Sequence, residues 1–177
     1  MIYKVAYLNN KIPWALSKAM KFIKYTTLGH EITKDFVKSS ITQNIELDNL
    51  TLSKQNAVIM GFKTLQYSSG PNDCIKHFKC ENLKAKITIE DALIDANENS
   101  NIDSIFFVGG AQVYEQVIND KNYNLNTAYV ISVNEDYKCD KFIDTSELET
   151  RVTKNKAYEK NILYSDNDFT ATEYRNL

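Results

Sequence analysis

Arginine is the scarcest basic residue in this chain. Only Arg151 and Arg175 occur among the 21 basic residues, so lysine supplies nearly all of the positive charge. A lysine ammonium is a point charge and cannot make the two-pronged contact by which arginine holds a carboxylate. The scarcity of arginine is typical of a genome biased towards lysine, asparagine and isoleucine, and it limits two-pronged contacts with carboxylates to these two residues.

Cysteine is also rare, and its three residues are not paired by CxxC spacing. This pattern is typical of reduced thiols in the cytoplasm. Cys74, His77 and Cys80 have C-x2-H-x2-C spacing, but no fourth ligand is evident, so we predict strand residues there and no metal site. The N-terminus is too short and polar for a signal peptide, and no run is long enough to span a membrane.

The overall balance of charge excludes one class of function. The 21 basic and 23 acidic residues give a formal net charge of -2, which argues against a nucleic-acid binder held by bulk charge. The 177 residues predict a single domain over 1–177 that is large enough to bury a core.

Alternating strand and helix signals predict an α/β fold. Strands are expected at 2–8, 57–60, 74–80, 84–87, 105–108 and 128–133, and the alternating segments 157–164 and 169–174 predict a closing antiparallel hairpin. Helices are expected after Ser17 as an N-cap, from Gly61, from Thr88 to about Asn97 with Asp91 resembling a capping box, and after Gly110 to about Ile118. The polar segment 29–55 is hard to assign, although Ile45, Leu47, Leu50 and Leu52 suggest a strand pair or a short helix turned inward.

Three segments carry a family resemblance. They are IPWALSKAMKFIK at 12–24, NAVIMGFKT at 56–64 and IFFVGGAQVY at 105–114. Together they resemble the substrate helix and the two nucleotide-binding turns of dihydrofolate reductase. The resemblance implies a three-layer α/β fold with a central, mostly parallel sheet and a C-terminal antiparallel hairpin. It also implies that 29–55 is an insertion into that fold.

The two glycine turns are the candidate cofactor site. Glycine lets the backbone approach a phosphate closely, and a helix start offers unpaired N–H groups to an anion. The resemblance implies NADPH as the cofactor and a pyrophosphate held at the Gly109–Gly110 turn. The residues that it implies at the cofactor are Ala6, Gly61, Lys63, Thr64, Gly109, Gly110, Ala111 and Gln112.

The expected folate pocket lacks the groups that reduction of a pterin needs. The resemblance places Trp14, Ala19, Met20, Ile23 and Ile131 there. Ala19 and Met20 stand where the family has the carboxylate that promotes protonation, and Ile131 replaces a threonine of the same network.

Three further family features are missing. The segment between Leu8 and Pro13 is too short for the loop that closes over the nicotinamide. Asn72 or Asp73 stands where an arginine would bind the folate tail, and Phe62 replaces the basic residue expected beside the extra phosphate of NADPH.

These losses favour a degenerate member of the family that has no catalytic residues, with NADPH binding weakened or lost. Such a protein would act as a repurposed binding protein, with 29–55 as the candidate surface for a protein partner. One alternative is an active NADPH-dependent reductase of dihydrofolate or another pterin, which would use solvent, Glu31 or Asp35 as its proton donor. A second alternative is a structural or assembly component that binds no ligand.

Overall fold

The computed structural model describes residues 4–7, 12–14, 16–28, 34–42, 55–67, 88–144 and 158–176, and strands and helices are mixed along them. The strands are β1 (Lys4–Tyr7), β2 (Gln55–Ile59), β3 (Ile102–Phe107), β4 (Thr127–Val133), β5 (Lys141–Asp144), β6 (Tyr158–Ser165) and β7 (Phe169–Asn176). The helices are α1 (Ser17–Thr27), α2 (Lys34–Thr42), α3 (Phe62–Tyr67), α4 (Ile89–Asn97) and α5 (Ala111–Asn119). The mixed α/β class predicted from the sequence is confirmed.

The strands form three small sheets. β2 and β3 pair in parallel, β1 and β5 pair antiparallel, and a three-stranded antiparallel sheet has the order β4-β7-β6. The predicted C-terminal hairpin is confirmed as β6 and β7. The expectation of a mostly parallel sheet does not hold for the described strands, because only β2 and β3 pair in parallel. The chain returns through the short Asp166–Asp168 turn, which can join only antiparallel strands.

The core lies between helices α1 and α2 and one face of the β4-β7-β6 sheet. Its buried members are Ala19, Phe22, Val37, Ile41, Leu163, Phe169 and Ala171. Leu16, Tyr129, Ile131 and Tyr164 pack against them. Phe169 and Ala171 are two residues apart on β7, so the period of two along a strand places both on the face that the helices cover.

Helix α1 begins one residue earlier than the capping signal predicts. Leu16 is the N-cap, its backbone is extended, and no side chain caps the helix. Ser17 is the first helical residue, so its prediction as the cap was wrong. Leu16 packs against the core, and this apolar contact fixes the start of the helix in place of a hydroxyl.

Helix α2 lies inside the polar segment 29–55, at a position where the sequence pattern does not predict a helix. Val37 and Ile41 are four residues apart and therefore share one face, which is buried in the core. Lys34 and Asp35 are exposed. This part of 29–55 is thus a core element on one side and solvent-facing on the other.

Asn56 links α1 to the parallel strand pair. Its side-chain amide donates to the carbonyl oxygen of Thr27 at 3.0 Å, and its carbonyl oxygen accepts from the Ser104 backbone N–H at 3.2 Å. The register between β2 and β3 shifts between Gln55 and Ala57, which places Asn56 at an irregularity of the ladder. The Asn56 side chain therefore accepts a hydrogen bond from the Ser104 backbone where the regular hydrogen bonding between β2 and β3 is interrupted.

The predicted N-cap of α4 at Thr88 is confirmed. Thr88 Oγ accepts from the Asp91 backbone N–H at 3.0 Å, and the helix ends at Asn97 as predicted. The strands predicted at 74–80 and 84–87, the residues Ile45, Leu47, Leu50 and Leu52, and the Cys74–His77–Cys80 spacing lie outside the described residues.

Candidate functional site

The two glycine turns meet in space. The Gly61 backbone N–H donates to the Gly109 carbonyl oxygen with a distance of 2.6 Å, and the Val108 N–H donates to the Ile59 carbonyl oxygen at 3.0 Å. These bonds extend the parallel pairing of β2 and β3 beyond the strand ends. The turn that precedes α3 and the turn that precedes α5 are therefore held side by side.

Gly109 has no room for a side chain. Its φ is +92°, in the region that L residues rarely adopt, and a Cβ there would lie 2.7 Å from the Tyr114 ring. The peptide bond between Gly109 and Gly110 is cis. The first glycine of the motif is thus required by the fold itself, in addition to any contact with a ligand.

Gly61 is less crowded. A Cβ there would lie 3.5 Å from the Gly110 nitrogen and 3.6 Å from a Val113 methyl carbon, both ordinary van der Waals distances. A side chain would fit the fold but would fill the space between the two turns. Substitution of Gly61 by alanine should therefore block the space between the two turns without disrupting the backbone.

Helix α5 presents its N-terminus at this meeting point. Gly110 is the N-cap and has no side chain to cap the helix, and the first backbone bond within the helix runs from the Tyr114 N–H to the Gly110 carbonyl. The N–H groups of the first turn have no acceptor within a helix and carry partial positive charge. Ala111 and Gln112, two of the candidate residues, occupy this turn.

The other candidate cofactor residues differ in their exposure and in the element that carries them. Lys63 is exposed and Thr64 is half-buried on α3, whereas the Phe62 side chain is 69% exposed beside Gly61. Ala6 lies in β1 opposite Phe142 of β5, in a different two-stranded sheet from the one that ends at the turns. The side chain beside Gly61 is therefore an exposed aromatic ring, and the nearest cation in this turn is Lys63.

The candidate folate residues divide into two groups. Ala19 is only 4% exposed and shares the core cluster with Ile131, which packs against it. Met20 and Ile23 are half-buried on α1. Trp14 instead packs on Tyr137, with ring centroids 5.5 Å apart. Ala19 and Ile131 therefore contribute to packing between α1 and the sheet, and Trp14 contacts the loop that follows β4.

Lys18 explains why α1 lacks an acid in its first turn. Lys18 Nζ lies 2.7 Å from Asp166 Oδ2 and 3.8 Å from Asp168 Oδ2, in the turn between β6 and β7. The Tyr164 hydroxyl donates to the same Asp166 oxygen at 2.8 Å. These ion pairs hold the start of α1 against the turn between β6 and β7.

Asp166 stays ionised in this arrangement. Burial opposes its charged form, but the Lys18 ammonium and the backbone N–H groups of Phe169 and Asp168 outweigh that effect and lower the pKa of the Asp166 carboxyl. The same hydrogen bond raises the pKa of Lys18. The two charges are therefore both present over the ordinary pH range.

A second polar cluster was not predicted. Glu173 Oε1 accepts from Arg175 Nη2 at 2.7 Å and from the Tyr129 hydroxyl at 3.3 Å. Burial and the neighbouring Glu173 raise the pKa of Tyr129 to about 12. Glu173 is the one buried charged residue among the described residues. The strand prediction contained a signal for it, since Glu173 follows Phe169 and Ala171 at a period of two and so faces inward.

The described residues contain no group of three or more His, Cys, Asp or Glu side chains that could hold a metal ion. Among the helices described above, none has the length and apolar character to cross a membrane. A scan against models of known protein families finds no match for this chain, and neither does a search of curated proteins.

Proposed function

We propose that this chain is a dihydrofolate reductase-like protein that no longer reduces dihydrofolate and that binds the phosphates of a nucleotide at its paired glycine turns. The observation that carries the proposal is the hydrogen bond from Gly61 N–H to the Gly109 carbonyl, which joins the two turns beside the uncapped start of α5. Backbone N–H groups at such a helix start favour an anion without any arginine.

The loss of reductase chemistry rests on the residues of the folate side. Ala19 is packed in the core and cannot exchange a proton, and Ile131 packs against that core. Protonation of a pterin by a positioned acid would need a carboxylate near this part of α1. Asp35, one candidate for a substitute, is exposed on α2, and Glu31 lies outside the described residues.

The nucleotide that these residues fit is one with a pyrophosphate. NADPH would place its pyrophosphate at the two turns, where the first turn of α5 would supply backbone donors and Gly61 and Gly109 would allow its close approach. Lys63 and Thr64 would be the side chains available to further phosphate oxygens. When bound, NADPH would supply a hydride donor, and these residues would hold and orient its phosphates.

A partner surface belongs to the same proposal. The exposed side of α2, which includes Lys34 and Asp35, is the described part of 29–55 available to a partner protein. Deletion of the whole segment would not test this role, because Val37 and Ile41 would leave the core with it. Charge reversal of Lys34 and Asp35 together would remove the surface chemistry and retain the packing.

One observation favours the alternative of an active reductase. Glu173 is a buried carboxylate on the sheet face that α1 covers, so the described chain does retain one acid in a protected environment. Activity measurements test whether Glu173 donates a proton to a substrate.

Calorimetry with NADPH, followed by dihydrofolate and a spectroscopic assay of NADPH oxidation, tests the proposal. We expect binding without turnover, and we expect Gly61→Ala to abolish binding while the protein remains folded. Lys121→Ala, an exposed lysine that follows α5, is the matched control and should bind like the parent protein. Turnover would establish the alternative, and absence of nucleotide binding would contradict the nucleotide site.

A further inference from the structure

The charges of this chain are unevenly distributed among its helices. Residues 87–120 contain seven acidic residues and no lysine or arginine, although the whole chain has nearly equal numbers of both signs. These acids are Glu90, Asp91, Asp95, Glu98, Asp103, Glu115 and Asp120. Every charged side chain of helices α4 and α5 is therefore negative.

An open groove runs along α5 within this acidic region. Its volume is about 720 Å³, and it is lined by Gln112, Glu115, Gln116, Asn119 and Asp120. Gln116 Nε2 donates to Glu90 Oε1 at 3.4 Å, and the Tyr123 hydroxyl donates to the same oxygen. These hydrogen bonds connect the first turn of α4 to the groove, so Glu90 adds a further carboxylate beside it.

Positive charge is concentrated on helices α1 and α2. Together they contain five lysines and a single acid, Asp35. Lys34 and Lys38 of α2 are exposed, and because they are four residues apart they lie on one side of the helix. Val37 and Ile41 keep the other side of α2 in the core. Helix α2 therefore presents a short row of positive charge to solvent.

The row on α2 and the acids of the groove have similar spacing. A helix rises about 6 Å over the four residues from Lys34 to Lys38, and about 7.5 Å over the five residues from Glu115 to Asp120. Asp120 follows the last residue of α5 and lies at the negative end of its helix dipole. An antiparallel approach of α2 brings Lys34 to this end of α5 and brings Lys38 to Glu115.

We propose that a second copy of this chain docks the exposed side of its α2 into the acidic groove along α5. Lys34 then pairs with Asp120 and Lys38 with Glu115, while the amide side chains that line the groove donate to Asp35. A two-fold axis makes this contact twice, because each copy has both a basic helix and an acidic groove.

This proposal names the occupant of the α2 surface. It rests on that part of the proposed function and does not depend on the nucleotide site. The contact is small and its pairs are exposed at the rim, so the association is weak and sensitive to salt.

Sedimentation velocity of the intact protein at two salt concentrations tests the docking. The Debye length is about 30 Å at about 0.01 M salt and about 3 Å at about 1 M, so the ion pairs act chiefly at the lower concentration. We expect a dimer that forms as the protein concentration rises in low salt and that dissociates in high salt. A monomer under both conditions, or a dimer that is indifferent to salt, would overturn the inference.

Charge reversal identifies the two surfaces. Lys38→Glu and Glu115→Lys should each weaken dimerisation at least about tenfold, because each brings like charges together. An equimolar mixture of the two variants should restore the dimer, since both contacts of the mixed pair then join opposite charges. A folding defect cannot produce such restoration.

Lys138→Glu is the control for these variants. It makes the same charge change as Lys38→Glu at an exposed position in the loop between β4 and β5, and it should dimerise like the parent protein. Equal weakening by the control would overturn the inference, as would unchanged dimerisation in both reversal variants or a mixture that stays monomeric. Gly61→Ala should dimerise like the parent, so failure of this contact and failure of the nucleotide site can be distinguished.

Discussion

Lys18 and Asp166 are 148 positions apart in the sequence, yet Lys18 Nζ lies 2.7 Å from Asp166 Oδ2. The Asp166 side chain also accepts from Tyr164 through Oδ2 and from the backbone N–H groups of Asp168 and Phe169 through Oδ1. One carboxylate thus connects the first turn of α1 to the turn of the C-terminal hairpin.

The Asp166 contacts predict a pH-dependent loss of stability. Because the folded protein lowers the pKa of Asp166 below its ordinary value of 3.8, its contribution is fully present above pH 3.8 and is lost as the pH falls through the folded pKa. Asp166→Asn should lower the melting temperature near neutral pH by about 2–4 °C, a change expected for about 1 kcal/mol in a chain of this size. It should also flatten the loss of stability in acid.

Asp168→Asn is the control for the Asp166 prediction. Its carboxylate is more exposed and lies 3.8 Å from the same lysine nitrogen, so its removal should change the melting temperature little. Equal effects of the two variants, measured by thermal unfolding across pH, would show that general charge and not the Asp166 hydrogen bonds sets the acid response.

The two glycines of the candidate phosphate site should respond differently to alanine. Gly109→Ala forces a positive φ on an L residue and places Cβ against Tyr114, so we expect it to destabilise the protein by at least about 2 kcal/mol. Gly61→Ala introduces only ordinary contacts and should change stability by less than about 1 kcal/mol. Urea unfolding of both variants measures the difference, and similar losses would contradict the geometry of the two turns.

The burial of Val37 and Ile41 predicts that α2 is needed for folding. Ile41 is 3% exposed in the core cluster, and Ile41→Ala should reduce the free energy of unfolding by about 2–5 kcal/mol. Lys34→Ala changes an exposed position of the same helix and should stay within about 0.5 kcal/mol. A small effect of Ile41→Ala in denaturant unfolding would mean that α2 is peripheral to stability.

Local signals in the sequence predicted the local structure. The capping box predicted that α4 begins after Thr88, and the alternation before and after 165–168 predicted the hairpin, because both depend on residues that are near one another in the chain. The antiparallel placement of β4 beside β7 could not be predicted in this way. The Ile131–Ala171 register joins residues far apart in the chain and depends on packing against α1.

The candidate phosphate site and the Glu173 cluster differ in how far the sequence alone predicts them. The glycines at 61, 109 and 110 identified the two turns, but the hydrogen bond that unites the turns follows from the parallel pairing of β2 and β3. The contact between Glu173 and Tyr129 could not be predicted, since it requires the register of β4 beside β7. The period of two along β7 does predict that the Glu173 side chain faces inward.

The side chain of Asn56 couples local opening of α1 to local opening of β3. Its amide group holds both the end of α1, through Thr27, and the middle of β3, through Ser104. Any fluctuation that separates α1 from β2 removes one bond of this side chain and leaves the Ser104 amide less protected. The hydrogen-exchange rate of Ser104, a strand residue, should therefore follow the fraying of a helix that is not its neighbour in the sequence.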